Sequence, residues 1–109
     1  YFANLKNMDG LILPKKHPKA THVFHLFVIR TDFRDELQAF LLEKGIQTLI
    51  HYPIPPHLQN AYKYLGYSKG DFPIAEKLAN TSLSLPMFTC LDNQSVDYVC
   101  DCIKEFYDN

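Results

Sequence analysis

Four polar side chains able to contact a ligand stand close together in the middle of the chain: His51, Tyr52, His57 and Gln59. Three of the four residues at 53–56 are proline, which fixes φ at about −65° and has no N–H to donate. This stretch is therefore neither helix interior nor central strand. It predicts a pre-shaped loop whose imidazole, phenol and amide groups hold a ligand.

Metal binding is the first alternative for the two histidines of this loop. His51 and His57 are six positions apart, but no carboxylate or cysteine stands nearby at ligand spacing, and the prolines disfavour a closed tetrahedral site. We therefore predict no metal. A third histidine, His25, lies in an apolar run, where a lone histidine is more often a satisfied core residue than a ligand.

The elements that position the loop begin with an apolar segment at residues 22–30. It is apolar on both alternating faces, which predicts a strand buried on both sides. Thr31 or Asp32 then suits the cap of a helix that Gly45 ends. Residues 46–52 alternate as a second strand, so His51 and Tyr52 are expected on opposite faces.

The rest of the chain predicts three further helices and two short strands. Residues 58–65 predict a short helix closed by Gly66, Pro73 suits the first position of a helix with an apolar stripe, and Asp92 suits the cap of the last helix. Short strands are expected at 11–13 and 80–86. We therefore predict an α+β fold: a small sheet of three to four strands with helices packed mainly on one face.

Six blocks of sequence together resemble one known family, the DegT/DnrJ/EryC1/StrS aminotransferases, which act on nucleotide sugars. The resemblance covers almost the whole chain, and its specificity comes from the order and spacing of the blocks. They are His25-Leu26-Phe27-Val28-Ile29-Arg30, Arg34-Asp35-Glu36-Leu37, Lys44-Gly45-Ile46-Gln47-Thr48, His51-Tyr52-Pro53 with Pro56-His57, Phe72-Pro73 with Ala75-Glu76, and Leu83-Ser84-Leu85-Pro86.

The resemblance implies the small C-terminal domain of a fold-type I aminotransferase, at residues 11–109, preceded at 1–10 by the end of an interdomain helix. It implies that pyridoxal phosphate (PLP) and its catalytic lysine belong to a large domain that these residues do not include, and that the intact parent is a homodimer. The implied reaction moves an amino group, usually from glutamate, to a keto sugar on a nucleotide, with dTDP-linked 6-deoxy sugars as the narrower expectation. His51, Tyr52, His57 and Gln59 then become substrate-binding residues, and none of them is catalytic.

The composition of the chain argues against two other classes of partner, nucleic acids and membranes. The 109 residues carry a formal charge of −1 with scattered basic residues, so we expect no nucleic-acid partner. The longest apolar run is far shorter than a bilayer span, and we expect no membrane partner. Three cysteines, an odd number, favour a reducing compartment such as the cytoplasm.

Two other functions remain open on the sequence alone. A free-standing sensor of small molecules, built as a ferredoxin-like α+β sandwich, has the same alternation of elements. A protein-interaction module is the second, since prolines at 53–56 match the composition of polyproline II ligands.

Overall fold

The computed structural model describes residues 1–108, so that Asn109, the last residue of the predicted domain, lies outside the described part. Within these 108 residues, four helices and two strands make up the regular structure, with two 3₁₀ turns between them. In chain order they are α1 (Phe2–Leu5), β1 (Phe27–Arg30), α2 (Arg34–Glu43), the 3₁₀ turns Pro56–Leu58 and Asn60–Leu65, α3 (Pro73–Thr81), β2 (Ser82–Leu85) and α4 (Asn93–Asp108).

The two strands form an antiparallel sheet whose faces differ in polarity. The register runs from Phe27 opposite Leu85 to Arg30 opposite Ser82. Because side chains alternate along a strand, Phe27, Ile29, Leu83 and Leu85 share one face, and the serines of β2 lie on the other. The first face is buried in the core, while the serine face is turned towards the candidate site.

One hydrophobic core joins the apolar face of the sheet to three helices. Leu5 of α1, Leu37 and Leu41 of α2, and Ile103 of α4 are each at most 1% exposed. They pack with the sheet residues in a single cluster, which Cys100 and Cys102 also enter. The prediction of an α+β fold with helices on one face agrees with this packing, and Cys100 is fully buried.

The sheet is smaller than predicted. Within residues 1–108 it has two strands rather than three to four. The expected strands at 11–13 and 46–52 are reduced to single bridges, from Ile12 to Arg30 and from Leu49 to Ser84. Next to the second bridge, Gln38 Nε2 donates to the carbonyl oxygen of Thr48 at 3.3 Å.

The predicted strand at 22–30 is wrong in its first half. β1 begins only at Phe27; Val23 is 91% exposed, and His25 is exposed instead of being a core residue. The partner strand explains this boundary. β2 ends at Leu85, which lies opposite Phe27, so the residues before Phe27 have no strand to pair with.

Helix termini follow local signals with one exception. Asp92 Oδ1 accepts the N–H of Ser95 at 2.7 Å, as expected of a cap. Gly45 ends α2 with φ +77°, and the N–H that follows it, on Ile46, donates to the carbonyl of Leu41. The start of α2 differs from the prediction, because Phe33 occupies the cap position without a side-chain hydrogen bond.

The apolar stripe predicted for α3 is also incomplete. The helix starts at Pro73 as predicted, and Ala79 is buried. Ile74 and Leu78, however, are 77% and 41% exposed, because α3 packs through its small residues. The larger apolar side chains of α3 therefore remain on the surface of the chain.

Candidate functional site

A cleft of about 220 Å³ lies between the proline loop and α3. Three of the four predicted site residues line it: His51, Tyr52 and Gln59. Ala75 and Ala79 form part of the opposite wall. The stiff loop and the small residues of α3 together leave this space open next to the serine face of the sheet.

His51 is held by the sheet. Its Nδ1 lies 2.9 Å from Oγ of Ser84, a buried residue of β2, and the ring itself is half-buried. The other ring nitrogen, Nε2, has no hydrogen-bond partner in residues 1–108. His51 therefore has one nitrogen fixed by the protein and one left for a ligand.

Tyr52 stands at the open side of the same cleft. It is 73% exposed, its ring meets that of His51 edge-on at 5.6 Å between centroids, and its hydroxyl has no partner among the described residues. The expected placement of His51 and Tyr52 on opposite faces of a strand is wrong, because these residues lie beyond the single bridge at Leu49. The peptide bond between them is cis.

Gln59 closes the loop rather than facing outward. Its Nε2 donates to the carbonyl oxygen of Ile54 at 2.9 Å, and the intervening Pro55 is buried. The amide donor is thus used within the loop itself. Gln59 shapes the floor of the cleft.

His57 points away from the cleft into a second, aromatic pocket of about 370 Å³. Its Nε2 lies 2.9 Å from Oε1 of Glu76, which also accepts the N–H of Gly70 at 2.7 Å. The Gly70 donor first, and His57 after it, hold the pKa of the Glu76 carboxyl below its ordinary value. His57 therefore joins the 3₁₀ turn to α3 and to the loop before it.

Two residues of this region were missed by the sequence analysis, Ser84 and Glu76. The strand predicted at 80–86 contains the alternation Ser-Leu-Ser-Leu, and that pattern alone places Ser82 and Ser84 on one face. This serine face of the strand matters only because the proline loop brings His51 next to it. Glu76 gave no comparable signal, since an acidic residue in the first turn of a helix is ordinary.

The chemistry open to the cleft is hydrogen bonding. Among residues 1–108, no lysine, arginine or acidic side chain lines it. The part of the chain that the structure describes contains no group of three or more His, Cys, Asp or Glu side chains placed to hold a metal ion. Across residues 1–108, no helix is long and apolar enough to cross a membrane.

Comparison with known proteins gives a consistent result. Residues 1–104 match the model of the DegT/DnrJ/EryC1/StrS aminotransferase family. Over 104 residues the chain is 47% identical to "Erythromycin biosynthesis sensory transduction protein EryC1" of Saccharopolyspora erythraea, covering 95% of this chain and 28% of the relative. It is 40% identical over 106 residues to a dTDP-3-amino-3,4,6-trideoxy-alpha-D-glucose transaminase of Streptomyces venezuelae, covering 97% of this chain and 28% of that one.

A solved structure agrees with these relatives. The crystal structure of S. venezuelae DesV in complex with a ketimine intermediate superposes with a TM-score of 0.95 at 38% identity, over 99% of this chain and 29% of that one. The chain thus spans under a third of the relatives that it matches. Since the family model covers nearly its entire length, this chain belongs to the DegT/DnrJ/EryC1/StrS aminotransferase family.

Proposed function

We propose that residues 11–109 form the small domain of an aminotransferase that transfers an amino group, from glutamate, to a keto sugar linked to a nucleotide. Residues 1–10 are the end of the helix that joins this domain to the rest of the protein. The family match and the dTDP-sugar transaminase among the relatives support the reaction and the class of substrate. We propose a dTDP-linked 3-keto-6-deoxyhexose as the acceptor.

The observation that carries the proposal is the cleft beside the proline loop. His51 and Tyr52 both line this cleft, and the Nε2 of His51 and the hydroxyl of Tyr52 have no partner in residues 1–108; imidazole and phenol groups suit sugar and phosphate oxygens. A site whose polar groups are left unpaired by the wrong ligand rejects that ligand. We assign substrate binding to His51 and Tyr52, and support of the cleft to Gln59 and His57.

The residues of this cleft do not fit PLP itself. PLP supplies an electron sink for amino transfer and needs a lysine amine as its attachment point. Lys44 and Lys104 instead pair with Glu105 and Asp101, at 2.7 and 3.0 Å, and no lysine of the described residues lines the cleft. We propose that PLP is held by parts of the intact protein outside these 109 residues, and we assign this chain no step through the cofactor.

The test is a pair of substitutions in the intact protein. His51→Ala should raise KM for the nucleotide sugar while the half-reaction with glutamate and the PLP absorbance stay unchanged. Tyr52→Phe removes one hydroxyl and should weaken use of the sugar by about 0.5–1.5 kcal/mol if that hydroxyl makes an ordinary neutral hydrogen bond. Leu58→Ala, at a 37% exposed residue that does not line the cleft, is the matched control. Unchanged sugar kinetics in both site variants would contradict the proposal.

Family membership also bears on the oligomeric state of the intact protein. We propose that the intact protein is a cytoplasmic homodimer, because family resemblance implies the dimer and an odd number of cysteines favours a reducing compartment. The interaction-module alternative is less favoured, since Pro55 is buried and Gln59 ties the loop to itself. A free-standing sensor predicts that the isolated chain binds a nucleotide sugar or an amino acid tightly by calorimetry, and the aminotransferase proposal predicts that it does not.

A further inference from the structure

We propose that Ser84 is a positioning residue that fixes the proton of the neutral His51 ring on Nε2, so that His51 presents a hydrogen-bond donor to the cleft. The group recognised is an oxygen acceptor of the ligand: a phosphate, carbonyl or hydroxyl oxygen. The identity of that ligand rests on the proposed function. The position of the proton rests on the geometry of β2 alone.

Ser84 is held on the sheet from both sides. It pairs with Val28 of β1, and on its other side its N–H donates to the carbonyl of Leu49 at 2.8 Å while its own carbonyl accepts the Leu49 N–H at 3.2 Å. Ser84 is 4% exposed. The side-chain hydroxyl therefore occupies a fixed position from which it reaches Nδ1 of His51 at 2.9 Å.

The direction of this hydrogen bond follows because the hydrogen of the Ser84 hydroxyl needs an acceptor. Within residues 1–108 the only partner of Ser84 Oγ is His51 Nδ1. If Nδ1 carried the proton, the hydroxyl would accept it and its own hydrogen would be buried without an acceptor, an arrangement that folded proteins rarely contain. The hydroxyl therefore donates, Nδ1 accepts, and the proton of the neutral ring is on Nε2.

The geometry of the His51 ring determines which nitrogen a ligand in the cleft contacts. Nδ1 and Nε2 lie on either side of one ring carbon, so a ring whose Nδ1 faces β2 directs Nε2 away from the sheet. His51 lines the cleft, and Ser84 does not. An Nε2–H group binds an oxygen lone pair and cannot remove a proton from the substrate. His51 is accordingly a recognition donor and not a general base.

Nitrogen NMR on the 109-residue chain tests the proton position directly. We expect His51 Nδ1 to show the shift of an unprotonated acceptor and Nε2 that of an N–H, measured at alkaline pH where imidazole is neutral. Ser84→Ala should move the tautomer ratio towards Nδ1–H by about 2- to 12-fold, the factor that one ordinary neutral hydrogen bond represents. Ser84→Thr, which keeps the hydroxyl, should restore the ratio. A proton on Nδ1 in the unaltered chain overturns the inference, whether or not the variants fold.

A double-mutant cycle in the intact protein tests the donor role, with dTDP-glucose as the probe and calorimetry as the readout. Ser84→Ala and His51→Ala should each weaken binding, and the double variant should bind no more weakly than His51→Ala alone, because Ser84 acts through His51. Additive losses overturn the positioning role. If His51→Ala leaves binding unchanged, the proposed function and the donor role fail together, while the NMR result separately decides where the proton lies.

Discussion

Phe27 is the side chain whose removal should most clearly test the fold that carries the cleft. It is 2% exposed at the start of β1, and its ring centroid lies 4.9, 5.0 and 5.9 Å from those of Tyr1, Phe2 and Phe24. Truncating a buried phenylalanine to alanine costs about 3–5 kcal/mol. Aromatic pairs add about 0.5–1.5 kcal/mol each beyond burial, so we expect Phe27→Ala to fall in the upper part of that range.

The assay is urea unfolding of the 109-residue chain, with the free energy of unfolding extrapolated to water. Domains of this size are typically stable by about 5–15 kcal/mol, so the loss should appear as a large fall in the unfolding midpoint. Phe88→Ala is the matched control, because Phe88 is 60% exposed and its removal should have a much smaller effect. Val23→Ala should be near neutral for the same reason. A loss below about 1 kcal/mol for Phe27→Ala would refute the placement of Phe27 in the core.

Three further predictions concern charge, thiols and the cofactor. Because the pKa of Glu76 is lowered in the folded chain, the stability that it contributes is present above its ordinary value of 4.5 and lost as the pH falls through the depressed value. Acid titration of Glu76→Gln should therefore show a flatter loss of stability below pH 4.5 than the unaltered chain, and an identical acid profile would contradict the pairing. An aromatic disulfide reagent should label Cys90 rapidly in the native chain, and Cys100 and Cys102 only after unfolding, since only Cys90 is exposed; three equally fast thiols would contradict the buried pair. Added PLP should form no imine that depends on one particular lysine of this chain, and a visible absorbance band abolished by a single lysine substitution would contradict that expectation.

Local signals in the sequence were sufficient for several helix boundaries, although the helix predicted at 58–65 is instead formed by the 3₁₀ turns Pro56–Leu58 and Asn60–Leu65. Pro73 at the first position of α3, Asp92 at the start of α4 and Gly45 after α2 act through a few neighbouring backbone groups, so each is readable without the fold. The core face of α4 is likewise marked by the spacing of its apolar residues. The cap of α2 was an exception: Thr31 Oγ1 accepts both the N–H of Phe33 at 3.2 Å and the Tyr107 hydroxyl at 2.6 Å, and Phe33 itself occupies the cap position.

The strands depended on partners that the sequence does not reveal. The apolar run before Phe27 has strand-like composition but lies beyond the end of β2, and the segment around Leu49 pairs with Ser84 at one position only. In the cleft, too, some features could be predicted from the local sequence and others depend on tertiary contacts. The residue types at 51–59 predicted a ligand loop, whereas the inward roles of His57 and Gln59 depend on Glu76 and Ile54 respectively.

The most direct test of the central claim is a crystal structure of the intact protein with a dTDP-linked sugar bound. We predict an oxygen of the ligand within hydrogen-bonding distance of His51 Nε2, about 2.7–3.2 Å, with the Tyr52 hydroxyl also in contact with the ligand and Ser84 still bonded to Nδ1. A ligand fully ordered at a site that neither His51 nor Tyr52 contacts would contradict it.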